Sequence, residues 1–313
     1  MKYNINFQAT GTTWNIDYYL DVTLEGTADA ESLKNDLTQI IKHRLDIYEN
    51  TYSRFRKDSL ITNIAKGETF ETKVRAREYI FPEDAKDLFE LYRNIYEATG
   101  GLVTPLIGKV ISDAGYDSNY SLQPKTEILS AKKWGDVMSY KHPILTVYEP
   151  ISLDFGAIGK GYAIDLIAQL LIEQGLKEFT INAGGDICHH SSNPNSNNPI
   201  RIGLEHPNNP KQVIGVAEIT NKSICGSAGN RRAWGDFHHI INPETVTSPK
   251  HISAVWVITS GPGSTAVADA LTTGLFFVEP TILSQRLKIG FEYLIVYADN
   301  TMKKSSGFTA EVF

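Results

Sequence analysis

The pattern of apolar and polar positions along the chain predicts both helices and strands. Between Ala30 and Arg54, leucine and isoleucine recur at spacings of mostly three and four residues, which is the period of one apolar helix face. A second helix is predicted from Pro82 to Thr99, because the same spacing ends at Gly100 and Gly101, which favour a left-handed stop. Both helices are expected to pack on a core.

The centre of the chain has the pattern of a strand, a tight turn, a helix and a second strand. The strand is predicted over 144–153, the turn over 154–161, the helix over 162–174 and the second strand from Thr180. Other predicted elements are strands over 201–204, 213–219, 254–260 and 293–297, a helix from about Ser264, a polar loop over 193–199 and a turn over 261–263. Because helices and strands neither alternate strictly nor form separate blocks, we expect an α+β fold with mixed sheets.

Composition and charge restrict the class of protein. With 313 residues, 42% hydrophobic and 21% charged, the chain has the composition of a folded globular protein. No linker divides it, so a single domain over 1–313 is expected, with two interlocked lobes as the alternative. The net charge of -6 and the lack of basic runs interleaved with aromatic residues argue against a nucleic-acid partner. An acidic protein that binds an anionic nucleotide needs a local cation, a helix N-terminus or a lysine.

Cysteine spacing and hydropathy give further expectations. Cys188 and Cys225 lack the paired spacing of zinc ligands and are interpreted as plain thiols. No apolar run approaches the roughly 20 residues that a membrane-spanning helix needs, and no leader precedes the first predicted elements. We therefore expect a cytoplasmic protein, with an exported or membrane-anchored protein that has lost its leader as the alternative.

The helix that contains the letters STAVADALTTG carries a candidate metal site. Asp269 and Thr273 are four residues apart and share one helix face. A carboxylate and a hydroxyl are hard oxygen ligands that suit Mg²⁺, which also accepts water and phosphate oxygens. Spacing alone favours the alternative, in which Asp269 stabilises the start of the helix and Thr273 packs beside it.

The predicted turn LDFGAIGKGYAID combines Asp154, Lys160 and three glycines before a helix. Helix-end amides and a lysine ammonium form an anion site, and an exposed carbonyl such as that of Ala157 can add an oxygen to a metal. The segment is not a nucleotide-binding P-loop, because Gly161 follows Lys160 where that motif needs Ser or Thr. Spacing alone supports equally well the alternative that this segment is only a glycine-rich connection between a strand and a helix, with Lys160 exposed to solvent.

A third segment, CGSAGNRRAWGDFHHIINPETV, brings two histidines close to Ser227 and Arg231. A histidine here can accept a proton near neutral pH or bind a phosphate. Because neighbouring residues of a strand point to opposite faces, at most one of His238 and His239 is expected to face a site.

Taken together, eight segments in order resemble the ApbE family of FAD:protein FMN transferases, from residue 10 to residue 274. They are Thr10-Gly11-Thr12 with Trp14, YSRFRKDSLITNIA, TGGLVTPLIGKVISDAGYD, LDFGAIGKGYAID, NAGGDI, IGLEHP, HHIINPETV and ADALTTG. The resemblance implies an ApbE-like α+β fold, with mixed, largely antiparallel sheets flanked by helices. It also implies Mg²⁺-dependent transfer of the FMN half of FAD to a Thr or Ser hydroxyl of an acceptor protein, with release of AMP.

The resemblance also implies a role for each matching residue. Mg²⁺ would be held by Asp269, Thr273 and the carbonyl of Ala157. His239 is the first candidate for the general base, and Asp269 acting through a metal-bound water is the second. The residues expected to contact FAD are Thr10, Leu102, Val103, Thr104, Asp154, Lys160, His239 and Ile240.

Some positions depart from the family pattern, and two other functions remain open. The family commonly has Met at the position of Thr10, Asp or Asn at Thr104, Asp at Asn242, and Thr-Ser-Gly where this chain has residues 226–228. The alternatives are an FAD pyrophosphatase that releases FMN and AMP, and a flavin-binding protein without turnover.

Overall fold

The computed structural model describes residues 2–20, 28–67, 76–192, 199–261 and 263–313. The predicted loop over 193–199 and the predicted turn over 261–263 therefore both lie partly outside the described residues. The described strands are β1 (Lys2–Ala9), β2 (Thr12–Tyr19), β3 (Arg77–Ile80), β4 (Met138–Lys141), β5 (Ile144–Val147), β6 (Glu178–Ala183), β7 (Asp186–Ser191), β8 (Ile200–His206), β9 (Asn209–Ile219), β10 (Lys222–Ala228), β11 (Ala233–Trp234), β12 (Phe237–His238), β13 (Ile252–Ser260), β14 (Glu292–Tyr297), β15 (Met302–Lys304) and β16 (Ala310–Val312). The described helices are α1 (Ala28–Tyr52), α2 (Leu60–Lys66), α3 (Ala85–Ala98), α4 (Gly108–Asp113), α5 (Trp134–Val137), α6 (Gly159–Glu173), α7 (Ser264–Gly274) and α8 (Pro280–Leu287).

A large antiparallel sheet organises the chain. Its strand order is β1-β2-β6-β7-β10-β13-β14-β15, and smaller sheets have the orders β16-β9-β8, β3-β5-β4 and β11-β12. Each pairing between described strands is antiparallel. The predicted α+β fold with largely antiparallel sheets flanked by helices is confirmed.

Both faces of the large sheet are buried, and alternation along the strands explains why. In β13, Val255 and Val257 belong to the apolar cluster formed with the helices, while Ala254 and Ile258 belong to a second cluster. The second cluster includes Leu204 and other residues of the β16-β9-β8 sheet. Because successive residues of a strand point to opposite faces, helices cover one face and the small sheet covers the other. A third cluster forms around Tyr116 and Trp234.

Helices α6 and α7 approach each other closely at Gly161. A Cβ at this position would lie 2.8 Å from the Cα of Ala266, so a larger residue would force the helices apart. One turn further along α6, the carboxylate of Asp165 accepts hydrogen bonds from the amides of Thr265 and Ala266, at 3.2 and 2.8 Å. These contacts fix the start of α7 against α6, and so place Lys160 beside Asp269.

Two predicted boundaries in the centre of the chain are wrong. Strand β5 ends at Val147 rather than at residue 153, and α6 begins at Gly159 rather than at residue 162. The apolar residues after β5, including Ile151 and Leu153, are buried in an irregular connection, so their hydrophobicity indicated burial and not a strand. Lys160 therefore lies in the first turn of a helix.

The state of the two cysteines and the length and polarity of the described helices are as expected from the sequence. Cys188 in β7 is partly buried, Cys225 in β10 is buried, and both are free. Among the described residues, every helix is too short or too polar to cross a membrane.

Candidate active site

A cavity of about 680 Å³ lies where the three apolar clusters meet. Its walls come from the segment before α4, the connection before α6, helices α6 and α7, and strands β7, β8, β10 and β13. Every predicted site residue except Thr10 lines it, namely Leu102, Val103, Thr104, Asp154, Ala157, Lys160, His239, Ile240, Asp269 and Thr273. These residues from four separate segments of the sequence thus share one cavity.

Thr10 is engaged elsewhere, in the turn between β1 and β2. Its φ of 50° is left-handed, its amide donates to Glu49 at 2.7 Å, and its hydroxyl accepts the Trp14 indole N–H at 3.0 Å. Thr12, two residues further on, lines the cavity instead.

Lys160, Asp186 and Asp269 form a buried charge cluster, of which Lys160 and Asp269 line the cavity. The Lys160 ammonium forms an ion pair with Asp186 and lies 3.7 Å from Oδ1 of Asp269. Asp186 also accepts the Gly226 amide at 3.2 Å, and Oδ2 of Asp269 accepts the Gly161 amide at 2.9 Å. The Lys160 side chain is only 26% exposed, so the interpretation of a solvated lysine is wrong.

The charges in this cluster stabilise one another. Burial on its own lowers the pKa of Lys160, but the nearby carboxylates of Asp186 and Asp269 outweigh burial and raise it above the ordinary value. Burial raises the pKa of Asp269 to about 7, against the opposing effect of Lys160. Lys160 is therefore cationic at neutral pH, and additional positive charge at the cluster would favour ionised Asp269.

The residues predicted to hold Mg²⁺ have a donor set that fits this metal. Oδ1 of Asp269 is beyond hydrogen-bonding distance of Lys160, and the side chain faces the cavity together with Thr273 and Ala157. Carboxylate, hydroxyl and carbonyl oxygens are ligands that Mg²⁺ prefers. Within the described residues, no three His, Cys, Asp or Glu side chains are grouped to hold a metal. A cation at Asp269 would therefore need phosphate or water oxygens to complete its coordination.

Asp154 faces the cavity from a second buried ion pair. Its Oδ2 pairs with Arg54, and its Oδ1 accepts the Gly156 amide at 2.6 Å. The Arg54 guanidinium lies 4.1 Å from the ring centroid of Phe55 and 5.1 Å from that of Tyr116. The Arg54–Asp154 ion pair and the rings of Phe55 and Tyr116 are thus in contact with one another.

His239 lines the cavity, whereas both ring nitrogens of His238 form hydrogen bonds with the backbone. Nε2 of His238 bonds to the Pro249 carbonyl at 2.9 Å, and its Nδ1 accepts the Ile240 amide at 3.2 Å. Nδ1 of His239 is buried and has no hydrogen-bond partner in the described part of the chain. Burial, followed by the charge of Arg232, lowers the pKa of His239 to about 3, so its ring is neutral at physiological pH.

Apolar residues of two clusters also line the cavity. Phe55, Tyr116 and their neighbours belong to the third apolar cluster, and Trp256 with its neighbours belongs to the second. Ser227 and Arg231, which the sequence brought near the histidines, also line the cavity. They are held by Thr272 at 2.8 Å and by Glu205 at 2.8 Å, respectively.

Two departures from the family pattern have local structural roles. Oγ1 of Thr104 accepts the Leu106 amide at 3.2 Å and caps a short 3-10 helix. Oδ1 of Asn242 accepts the amides of Glu244 and Thr245, at 2.9 and 3.1 Å. Asp would supply the same acceptor oxygen at either position, so these substitutions preserve the local turns.

Sequence reasoning did not find Arg54 and Asp186 as functional residues. Both lie in segments that resemble the family, YSRFRKDSLITNIA and NAGGDI. Each pairs with a residue far away in sequence, Arg54 with Asp154 and Asp186 with Lys160. No local spacing encodes such pairs, because the fold alone brings their partners together.

Comparisons with known proteins agree with the sequence and the fold. The FAD:protein FMN transferase of Haemophilus influenzae is 24% identical over 326 residues, covering 97% of this chain and 90% of that protein. The enzyme of the same name from Vibrio cholerae is 26% identical over 281 residues, covering 85% of this chain and 78% of that protein.

Solved structures show the same fold. The ApbE protein from Thermotoga maritima superposes with a TM-score of 0.80 at 20% identity, covering 99% of this chain and all of that one. The flavin transferase ApbE from Vibrio cholerae has a TM-score of 0.76 at 19% identity, with 98% of each chain covered. The ApbE family model matches residues 10–292. The chain therefore belongs to the ApbE family.

Proposed function

We propose that this protein is an FAD:protein FMN transferase that uses Mg²⁺ and a Thr or Ser hydroxyl of an acceptor protein. The observation that carries the proposal is the buried charge cluster whose Lys160 and Asp269 line a cavity that is also lined by apolar residues of two clusters. FAD has two planar ring systems joined by a diphosphate, so its chemistry matches both parts of this cavity. The names of the related enzymes support the same reaction.

The protein's own groups would hold the diphosphate and exclude water. Lys160 carries a positive charge into a partly enclosed site, and it lies in the first turn of α6, where the helix dipole also favours anions. Mg²⁺ bound by Asp269, Thr273 and Ala157 would supply neutralisation of the charge that develops on the leaving phosphate. Leu102, Val103 and Thr104 line the cavity and restrict the ligand's position.

His239 is the first candidate to take the proton from the acceptor hydroxyl. In the transfer, a bond forms between the acceptor oxygen and the FMN phosphorus, and the bond to the AMP phosphate breaks. The hydroxyl proton passes to the neutral imidazole of His239, a residue that lines the cavity. Because phosphoryl transfer needs little deprotonation of the nucleophile before the transition state, a weakly basic neutral imidazole is sufficient. Asp269 is the second candidate.

Measurement of AMP with and without acceptor proteins tests the proposal. Purified protein, FAD and Mg²⁺ are incubated with a panel of Thr- and Ser-containing candidate acceptors, and FMN attachment is followed by mass spectrometry. AMP that forms only with an acceptor, together with its FMN adduct, is expected. AMP and free FMN in the absence of any acceptor would favour the pyrophosphatase. Bound FAD that is never cleaved would favour a binding protein.

A further inference from the structure

Arg54 is a buried cation immediately behind the ligand-facing surface of the cavity. Its side chain is only 8% exposed, and the Asp154 carboxylate with which it pairs is 11% exposed. Phe55, Tyr116 and Asp154 line the cavity. Arg54 therefore contacts three groups that would touch a ligand.

We propose that Arg54 is a positioning residue for the ligand, because it fixes the Asp154 carboxylate and the aromatic rings of Phe55 and Tyr116 in one arrangement. The inference rests on the proposed function in one respect: the ligand used to test it is FAD.

The geometry explains why an arginine suits this position. The Nε–H of Arg54 donates to the carboxylate of Asp154, while the planar guanidinium lies against the faces of Phe55 and Tyr116. Only a delocalised planar cation makes both contacts at once. Lysine keeps the charge but loses the stacked plane, and glutamine loses the charge.

The rings of Phe55 and Tyr116 and the carboxylate of Asp154 also have contacts with other residues. The ring of Tyr116 stacks on Trp234 with centroids 5.7 Å apart, and Phe55 meets Tyr116 edge to face at 5.5 Å. The Gly156 amide holds the other oxygen of Asp154. Arg54 is the link between these two structures. Its Nη2 is buried and has no hydrogen-bond partner within the described ranges.

The test compares FAD binding and turnover in Arg54→Gln, Arg54→Lys and wild type. FAD affinity is measured by quenching of flavin fluorescence, and kcat and KM by FMN transfer. Loss of a charge-assisted hydrogen bond predicts that Arg54→Gln raises the Kd and KM for FAD by about 10-fold or more, with kcat within about threefold. Arg54→Lys should show an intermediate increase. Arg56→Gln is the matched control, since Arg56 pairs with Asp46 and Asp58 outside the cavity, and its Kd should equal that of wild type.

A double-mutant cycle separates positioning from general destabilisation. If Arg54 acts through Asp154, adding Arg54→Gln to Asp154→Asn should raise the Kd much less than it does in wild type. Additive effects in the cycle, wild-type FAD affinity in Arg54→Gln, or a loss of kcat without a change in KM would overturn the proposal. If Arg54→Gln does not fold, Arg54→Lys decides, because wild-type affinity there also overturns it. Failure of wild type to bind FAD would instead contradict the proposed function.

Discussion

At the scale of single residues, the cavity depends on charges that are paired before any ligand arrives. An isolated buried charge is unfavourable, and a partner of opposite charge compensates for its lost hydration and holds it in place. Asp186 has this role for Lys160, and Arg54 has it for Asp154. The side chains expected to meet FAD are thus held in place by others behind them.

Asp269 is the one carboxylate among the proposed metal ligands, so Asp269→Asn should remove much of the attraction for Mg²⁺. At limiting Mg²⁺ we expect FMN transfer to fall by at least about 10-fold, and Thr273→Val to slow transfer less, because water can replace a neutral ligand. High Mg²⁺ should restore part of the activity in both variants. The measurement is FMN incorporation across a Mg²⁺ titration, with circular dichroism as the control for folding. A wild-type rate for Asp269→Asn at limiting Mg²⁺ would place the metal elsewhere.

His239 gives a prediction about pH. Its pKa of about 3 keeps the ring neutral at any pH well above that value, so acidification from about pH 8 to 5.5 does not protonate it. If His239 is the base, His239→Asn should slow transfer by about 10²-fold or more, and by a similar factor at both pH values. Rate measurements at saturating FAD and Mg²⁺ test this. A defect that largely disappears at the lower pH would show that His239 titrates near its ordinary value.

The residues of the site could be predicted unevenly from the sequence. Asp269 and Thr273 share a helix turn, so their common direction followed from spacing alone. The convergence of Asp154, Lys160 and His239 on one cavity followed only from the resemblance, because no periodicity relates such distant segments. Arg54 and Asp186 were missed because their functions depend on partners chosen by packing.

At the scale of elements, long helices and the strongest strands were predictable, and connections were not. Helix α1 and strand β13 each lie within two residues of their predicted ends, because their apolar periodicity is sustained. The segment after β5 is equally apolar but irregular, since its backbone bonds elsewhere, as the Asp154 amide does to Pro105 at 2.8 Å. Local hydrophobicity does not distinguish these cases.

A substitution at Gly161 tests how closely α6 and α7 must pack. Gly161→Ala places a methyl group against the backbone of α7, and overpacking of this kind costs about 1–3 kcal/mol of unfolding free energy. Because Lys160 and Asp269 lie on these two helices, transfer should slow as well. The measurements are chemical denaturation and transfer rate.

Gly135→Ala in α5 is the matched control, since nothing lies within 4 Å of the added Cβ. This variant should be as stable as wild type or slightly more stable, since alanine favours a helix. Equal stability of the two variants would mean that the helices can separate at little cost.

At the scale of the whole molecule, the cavity joins all three apolar clusters, and this supports the expectation of a single domain. The four tryptophans are spread over the three clusters, so their fluorescence reports on each of them. We expect one cooperative unfolding transition, detected alike by fluorescence and circular dichroism.

FAD and Mg²⁺ together should shift that whole transition to higher temperature. A ligand at 100 times its Kd adds about 2.7 kcal/mol to the unfolding free energy. The shift in unfolding temperature with both ligands should exceed the sum of the shifts with each alone, because phosphate oxygens would help to bind the metal. Asp269→Asn should abolish this additional shift. Two transitions, of which the ligands move only one, would contradict a single domain.

The two free thiols make this chain suitable for selective chemical labelling. Burial raises the pKa of Cys188 to about 11, so at pH 7 only about one molecule in 10⁴ carries the reactive thiolate, and Cys225 is fully enclosed. A cysteine introduced at an exposed position would therefore react with a maleimide dye long before either native thiol. Ser118→Cys exchanges one small side chain for another, on the surface two residues from Tyr116. Energy transfer between flavin and a dye attached there would detect flavin that binds beside Phe55 and Tyr116. Both native cysteines could be left in place.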